Sequence, residues 1–158
     1  MKNSKLAPYL DTNRIVVSGE MSSQKRVFEI LGELLSTGLE QIQDTQISME
    51  LQARERLGCT ALGHGVAIPH CRIDNVTEIR SAIIKLDTGI EFDAPDNKPV
   101  DLIFALLVPQ QANQEHLETL SELAQFLSNE ENRVRLRDCH NAQAILDALM
   151  LDNDHQAA

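Results

Sequence analysis

Val100-Asp101-Leu102-Ile103-Phe104-Ala105-Leu106-Leu107-Val108 is the stretch on which the fold turns. After Asp101 it is apolar at every position, and Pro109 closes it. A strand with one wet face alternates apolar and polar residues, whereas an unbroken aliphatic run belongs to a central strand covered on both faces. Helices are available on either side of it in the chain. Downstream, Asn113 stands as a helix N-cap ahead of a stripe made by Leu117, Leu120, Leu123, Ala124 and Leu127. Two shorter helices follow, over Asn129 to Asp138 and Asn141 to Met150. Upstream, Ile79 to Leu86 is a second short aliphatic strand. Before it, Ser22-Ser23 opens a helix carried by Val27, Ile30, Leu31, Leu34 and Leu35 and stopped at Gly38. Asp44 or Thr45 caps another helix, with Ile47, Met49, Leu51 and Leu57, ending at Gly58. The layers predicted are helix, sheet, helix: an α/β fold. The connectivity of the strands does not follow from this pattern.

The chain has 158 residues, 42% of them hydrophobic, which suits one domain with a substantial core. That domain is expected over residues 1–158, its core running from about Ile15 to Leu149, with the first twelve and last eight residues loosely held. Fourteen lysines and arginines stand against 24 aspartates and glutamates, a formal net charge of −10. Affinity for a polyanion rests on cations that neutralise phosphates, so nucleic acid is a poor partner, and anionic membrane surfaces should repel the chain. The longest apolar run falls far short of the roughly 20 residues that span a bilayer. The N-terminus lacks the apolar segment of a secretory signal, and three cysteines are an odd number, so a cytoplasmic protein with free thiols is expected.

Between Cys59 and Arg72 the pattern changes to glycine-punctuated strand and loop. In Leu62-Gly63-His64-Gly65-Val66-Ala67-Ile68-Pro69-His70-Cys71-Arg72, Gly63 and Gly65 permit close backbone approach or a positive φ, and Pro69 restrains the chain just before His70. If Val66 to His70 is extended, Val66, Ile68 and His70 share one face, which ends in an imidazole. A second concentration of polar chemistry is Asn113-Gln114-Glu115-His116. There the first turn of a helix favours anions and biases His116 toward its neutral form. Taken singly, each histidine also fits a bland role: His70 as a half-buried structural residue, His116 as a surface residue of a first turn. The spacing of Cys59, His64, His70 and Cys71 matches no familiar metal-ligand pattern. A cysteine hydrolase pairing Cys71 with His116 lacks a recognisable local signature. No glycine-rich phosphate loop followed by Lys-Ser or Lys-Thr occurs. The acidic stretches Asp93 to Asp96 and Asn129 to Glu131 fit turns and solvated caps.

The segment from Arg54 to His70, with its Gly-Val-Ala-Ile-Pro-His core, together with Glu115-His116-Leu117, resembles the enzyme IIA proteins of the bacterial phosphotransferase system, mannitol/fructose class, and most of all their nitrogen-regulatory branch. The likeness extends from about Ile15 to about Leu149. It implies a mixed, mainly parallel sheet of about five strands covered by helices on both faces. It also implies that His70 accepts a phosphoryl group on Nε2, that His116 assists by hydrogen bonding, and that Arg54 stabilises the phosphoryl charge. Neither a cofactor nor a metal is implied. The implied donor is a histidine phosphocarrier protein, itself phosphorylated by an enzyme I. Regulatory targets in the family include potassium transporters and sensor kinases. Cys59 stands where serine is usual, His64 where asparagine or an acidic residue is common, and Cys71 at a variable position; their roles stay open.

Phosphoryl transfer between histidines needs in-line positioning and charge stabilisation more than acid–base chemistry. The function expected is a cytoplasmic phosphohistidine relay that regulates partners through its phosphorylation state, a phosphotransferase component rather than a metabolic enzyme. The alternatives are a sugar-specific IIA passing the group to a fructose- or mannitol-type IIB domain, and an interaction module that has lost transfer. Retention of His70, His116 and Arg54 speaks against the second. The charge of −10 then reads as an acidic rim that attracts a basic carrier.

Overall fold

The computed structural model describes residues 7–111 and 114–157; the side chains of Ala7, Ser18, Glu115, His116 and residues 151–157 fall outside that description. Its strands are β1 (Ile15–Gly19), β2 (Ala61–Gly63), β3 (Val66–Ala67), β4 (His70–Ile73), β5 (Arg80–Ile90) and β6 (Val100–Pro109). The helices are α1 (Gln24–Ser36), α2 (Asp44–Leu57), α3 (Gln114–Leu127), α4 (Glu130–Arg137) and α5 (Ala142–Ala157). Two short 3-10 turns, Ala7–Tyr9 and Thr12–Arg14, precede β1.

All six strands form one sheet in the order β1-β5-β6-β3-β2, with β4 also on β6. The pairings of β1 with β5, β3 with β6 and β4 with β6 are parallel; those of β5 with β6 and β2 with β3 are antiparallel. The sheet is therefore mixed and mainly parallel by pairing. The strand count is six where about five were expected, for a reason that lies in Pro69. Val66 faces Leu102, Ala67 faces Ile103 and His70 faces Leu106, so β3 and β4 keep one register along β6. Pro69 has no N–H to give the ladder and splits one strand into two short ones, while its carbonyl still accepts from the Leu106 N–H at 2.9 Å.

β6 lies between β5 and the β3/β4 line, as its composition demanded. Its Leu102, Phe104 and Leu106 join Leu123 and Leu127 of α3, Leu136 of α4 and Ile145 of α5 in one core. Ile103, Ala105 and Leu107 face the other way, into a core with Val27, Leu31 and Leu35 of α1 and Ile47 and Leu51 of α2. Three layers result.

Ser23 caps α1, its hydroxyl accepting from the Arg26 N–H, and Asn129 caps α4 in the same way through Asn132. Some expectations are corrected. Gln43, not Asp44 or Thr45, is the N-cap of α2; it makes no side-chain cap bond, and Asp44 sits inside the first turn, where its charge suits the helix dipole. β5 runs to Ile90 and α5 to Ala157, both beyond the apolar runs that announced them. Leu117 is half exposed and not part of the buried stripe, which is carried by Leu123 and Leu127. Asn113, the expected cap of α3, lies outside the described residues. Within the first twelve residues, Tyr9 and Leu10 pack against the α3–α5 core, and the Tyr9 carbonyl accepts from the Arg14 guanidinium at 2.9 Å. Among the described residues, no helix is long and apolar enough to cross a membrane.

Candidate functional site

Val66 and Ile68 share the core on the α3–α5 side, and His70, two residues on and level with Leu106 of that core, continues their face at the start of β4. The Nδ1 of His70 lies 2.8 Å from the Ile68 carbonyl. A carbonyl oxygen only accepts, so Nδ1 carries the ring proton and the neutral ring keeps its lone pair on Nε2. Burial lowers the pKa of His70 below the usual histidine value, with the Arg54 charge adding to the effect. The Ile68 hydrogen bond and the Glu55 charge oppose it. The result is an imidazole held neutral, with a fixed tautomer, in a half-buried setting.

Arg54 lies in the last turn of α2, where it donates to the Gly58 carbonyl at 3.0 Å, and its charge is felt at His70. The fold thus brings together two of the three residues expected to act. The third, His116, falls in the first turn of α3, which follows the end of β6 at which His70 pairs; its side chain is outside the described residues.

The remaining reactive residues disperse. His64 occupies the β2–β3 turn with φ +57°, its N–H on an Asp96 carboxylate oxygen at 2.9 Å and its carbonyl accepting from Arg137 at 2.6 Å. It borders a cavity of about 450 Å³ with Lys98, Arg133 and Arg137. That turn is level with Asp101 and Leu102, whose N–H groups both bond the Gly65 carbonyl, whereas His70 is level with Leu106. Four residues of strand, roughly 13 Å, separate the two levels, so His64 is not a further donor beside His70. Cys71 points into the α1–α2 core, and burial pushes its thiol up to about 12, which removes it as a nucleophile. Cys59 is exposed, and its Sγ bonds the Phe92 carbonyl at 3.3 Å. Asp93 to Asp96 forms a turn, with Asp96 accepting from the backbone of His64 and Lys98.

One pair escaped the sequence reading. Glu55 accepts two hydrogen bonds from Thr60, from the N–H at 2.9 Å and from the hydroxyl at 2.6 Å. A signal existed: a carboxylate in the last turn of a helix stands against the dipole, and such a placement asks for a local partner.

The sequence and fold were compared with known proteins. The family described as phosphoenolpyruvate-dependent sugar phosphotransferase system, EIIA 2, matches residues 8–151. A nitrogen regulatory protein of Pseudomonas aeruginosa is 41% identical over 141 residues, 89% of this chain and 92% of that protein. The crystal structure of nitrogen regulatory protein IIA-Ntr from Neisseria meningitidis superposes with a TM-score of 0.86 at 41% identity, covering 92% of this chain and 99% of the other. IIA mannitol from Escherichia coli, at 21% identity, shares the fold with a TM-score of 0.73 over 89% of this chain and 98% of its own. With a family match that spans nearly all of the residues described above, the chain belongs to the phosphotransferase system EIIA 2 family.

Proposed function

We propose that the chain is a phosphohistidine relay and regulator of the nitrogen-related phosphotransferase branch, working in the cytoplasm and accepting a phosphoryl group on His70 from a histidine phosphocarrier protein. The observation that carries this is the Nδ1 contact to the Ile68 carbonyl, which leaves Nε2 of a neutral ring as the nucleophile. In the transfer, the Nε2 lone pair forms the new N–P bond while the N–P bond of the carrier breaks, its electron pair returning to the carrier's ring. Each ring keeps its one N–H, so no general base is required. Charge on the moving phosphoryl oxygens is met by Arg54, by the N–H groups at the start of α3 and by His116 as a hydrogen-bond donor. The similarity to nitrogen regulatory proteins supports regulation as the output, exerted on partners that read the phosphorylation state.

The test is incubation with the phosphorylated carrier, followed by intact mass and peptide mapping of acid-labile phosphate. One phosphoryl group is expected on His70 and none in His70→Ala; label that persists in that variant refutes the assignment. Arg54→Ala and His116→Ala should accept phosphate at least tenfold more slowly, as loss of one charge-stabilising donor commonly costs about 100-fold or more. Rapid onward transfer to a fructose- or mannitol-type IIB domain would place the chain in sugar uptake instead.

A further inference from the structure

We infer that Glu55 and Thr60 are a positioning pair that sets the orientation of the His70 ring through the backbone between them. The inference rests on His70 being the phosphoryl acceptor and adds residues that act on it without touching the transferred group. The contacts form an unbroken series. Glu55 holds Thr60 at two points, N–H and hydroxyl, at 2.9 and 2.6 Å. The Thr60 carbonyl accepts the Ile68 N–H at 3.0 Å, and the Ile68 carbonyl accepts the His70 Nδ1–H at 2.8 Å.

Each link lacks an easy substitute. Thr60 lies just before β2, where its carbonyl on the Ile68 N–H carries the β2–β3 pairing one residue further; it is buried, and its hydroxyl is spent on Glu55. Pro69, between Ile68 and His70, has no N–H with which to steady the carbonyl that grips the ring. That carbonyl is instead fixed from behind, through the Ile68 N–H, and from ahead, through the Pro69 carbonyl on Leu106 at 2.9 Å. Glu55 also brings a negative charge near His70 that opposes Arg54, its neighbour on α2. Once Nε2 carries a phosphoryl group, the Nδ1–H becomes a stronger donor, so the same clamp serves both states of the ring. A misplacement of about 1 Å in a reacting group costs on the order of 100-fold in rate; loosening a clamp two links away should cost less.

Glu55→Gln, Thr60→Val and Thr60→Ser, made in the full chain, are compared with wild type in single-turnover transfer from the phosphorylated carrier and by 15N NMR of the histidine rings. The expected result is a transfer rate about tenfold lower in Glu55→Gln and Thr60→Val at an unchanged half-saturating carrier concentration. The Nδ1–H tautomer of His70 should lose its dominance in both, and Thr60→Ser, which keeps the hydroxyl, should restore rate and tautomer. An unchanged tautomer in both variants overturns the inference, as does a loss confined to half-saturation, which would mark a docking contact. Should Glu55→Gln fail to fold, the Thr60→Val and Thr60→Ser contrast decides alone. The tautomer is read without any phosphoryl donor, so an unphosphorylated wild type would sink the functional proposal while leaving this one to its own measurement.

Discussion

At the scale of single residues, the behaviour of His70 follows from one contact and one environment. Its folded pKa lies below the usual value because burial penalises the imidazolium. The proton that would occupy Nε2 therefore binds only at a pH below the ordinary histidine midpoint of about 6.5. Phosphoryl acceptance should be flat across neutral pH and decline only as pH falls through that lower midpoint, and NMR titration of the His70 ring should report the same value. The linkage sign agrees. Below about pH 6.5 the unfolded chain takes up this proton and the native chain resists it, so His70 subtracts stability as the medium becomes more acidic. The thiols differ just as plainly. Brief alkylation of the native protein at pH 8, mapped by peptide mass, should label exposed Cys59 well ahead of buried Cys71 and Cys139. Equal labelling of the three would mean that both faces of the sheet open far more readily than their packing suggests, since Cys71 lies in the α1–α2 core and Cys139 in the α3–α5 core.

At the scale of elements, two close approaches can be tested. α1 and α2 meet at Gly32, where an added Cβ would strike the Asp44 carbonyl and lie 3.2 Å from Ser48. Replacing a helical glycine by alanine ordinarily stabilises by up to about 1 kcal/mol. Here the sign should reverse, and Gly32→Ala should lose about 1–3 kcal/mol in a denaturant melt. The β2–β3 turn offers the second case. Gly65, at φ +79°, leaves room for the Arg137 guanidinium, which grips Asp101 in a bidentate pair at 2.8 and 3.1 Å and also bonds the His64 carbonyl. Gly65→Ala should destabilise for two reasons, the backbone conformation and the displaced Arg137, and it should do so without altering the His70 tautomer, since the clasp lies at the far end of β3. Pro69 teaches the complementary lesson. Its effect on strand count came from a missing N–H, visible in the sequence, but the continuity of register across it required β6 as a template.

At the scale of the whole molecule, the charge of −10 sets the terms of association. If an acidic surface guides a basic carrier to His70, second-order phosphoryl transfer should slow several-fold as ionic strength rises from about 0.01 M, where the Debye length is about 30 Å, to about 0.15 M, where it is about 8 Å. A rate indifferent to salt would remove that account of the charge. The layered architecture was legible because both-face burial leaves an unmistakable mark on β6 and helical spacing leaves one on α1 and α3. The segments that carry His70, Arg54 and His116 stood out in the sequence through their resemblance to the family, and the fold brings His70 within reach of the Arg54 charge. The order of the strands was not, since no local pattern records which strand lies beside which, and neither was the end of β5, which pairing of Ile90 with Val100 carries past its own apolar run. His64 shows the same divide. In sequence it is six residues from His70, yet a turn and a length of strand carry the two to levels of β6 four residues apart. The reverse holds for Glu55, Thr60 and Ile68, which come from a helix end, a loop and the break beside Pro69. Hydrogen bonds among such segments depend on the geometry of the folded backbone. The sequence by itself determined the layers and placed His70 at the end of an apolar face, just after Pro69. Only the tertiary structure decided its tautomer and the clamp behind it, because both depend on carbonyl groups whose positions no side chain announces.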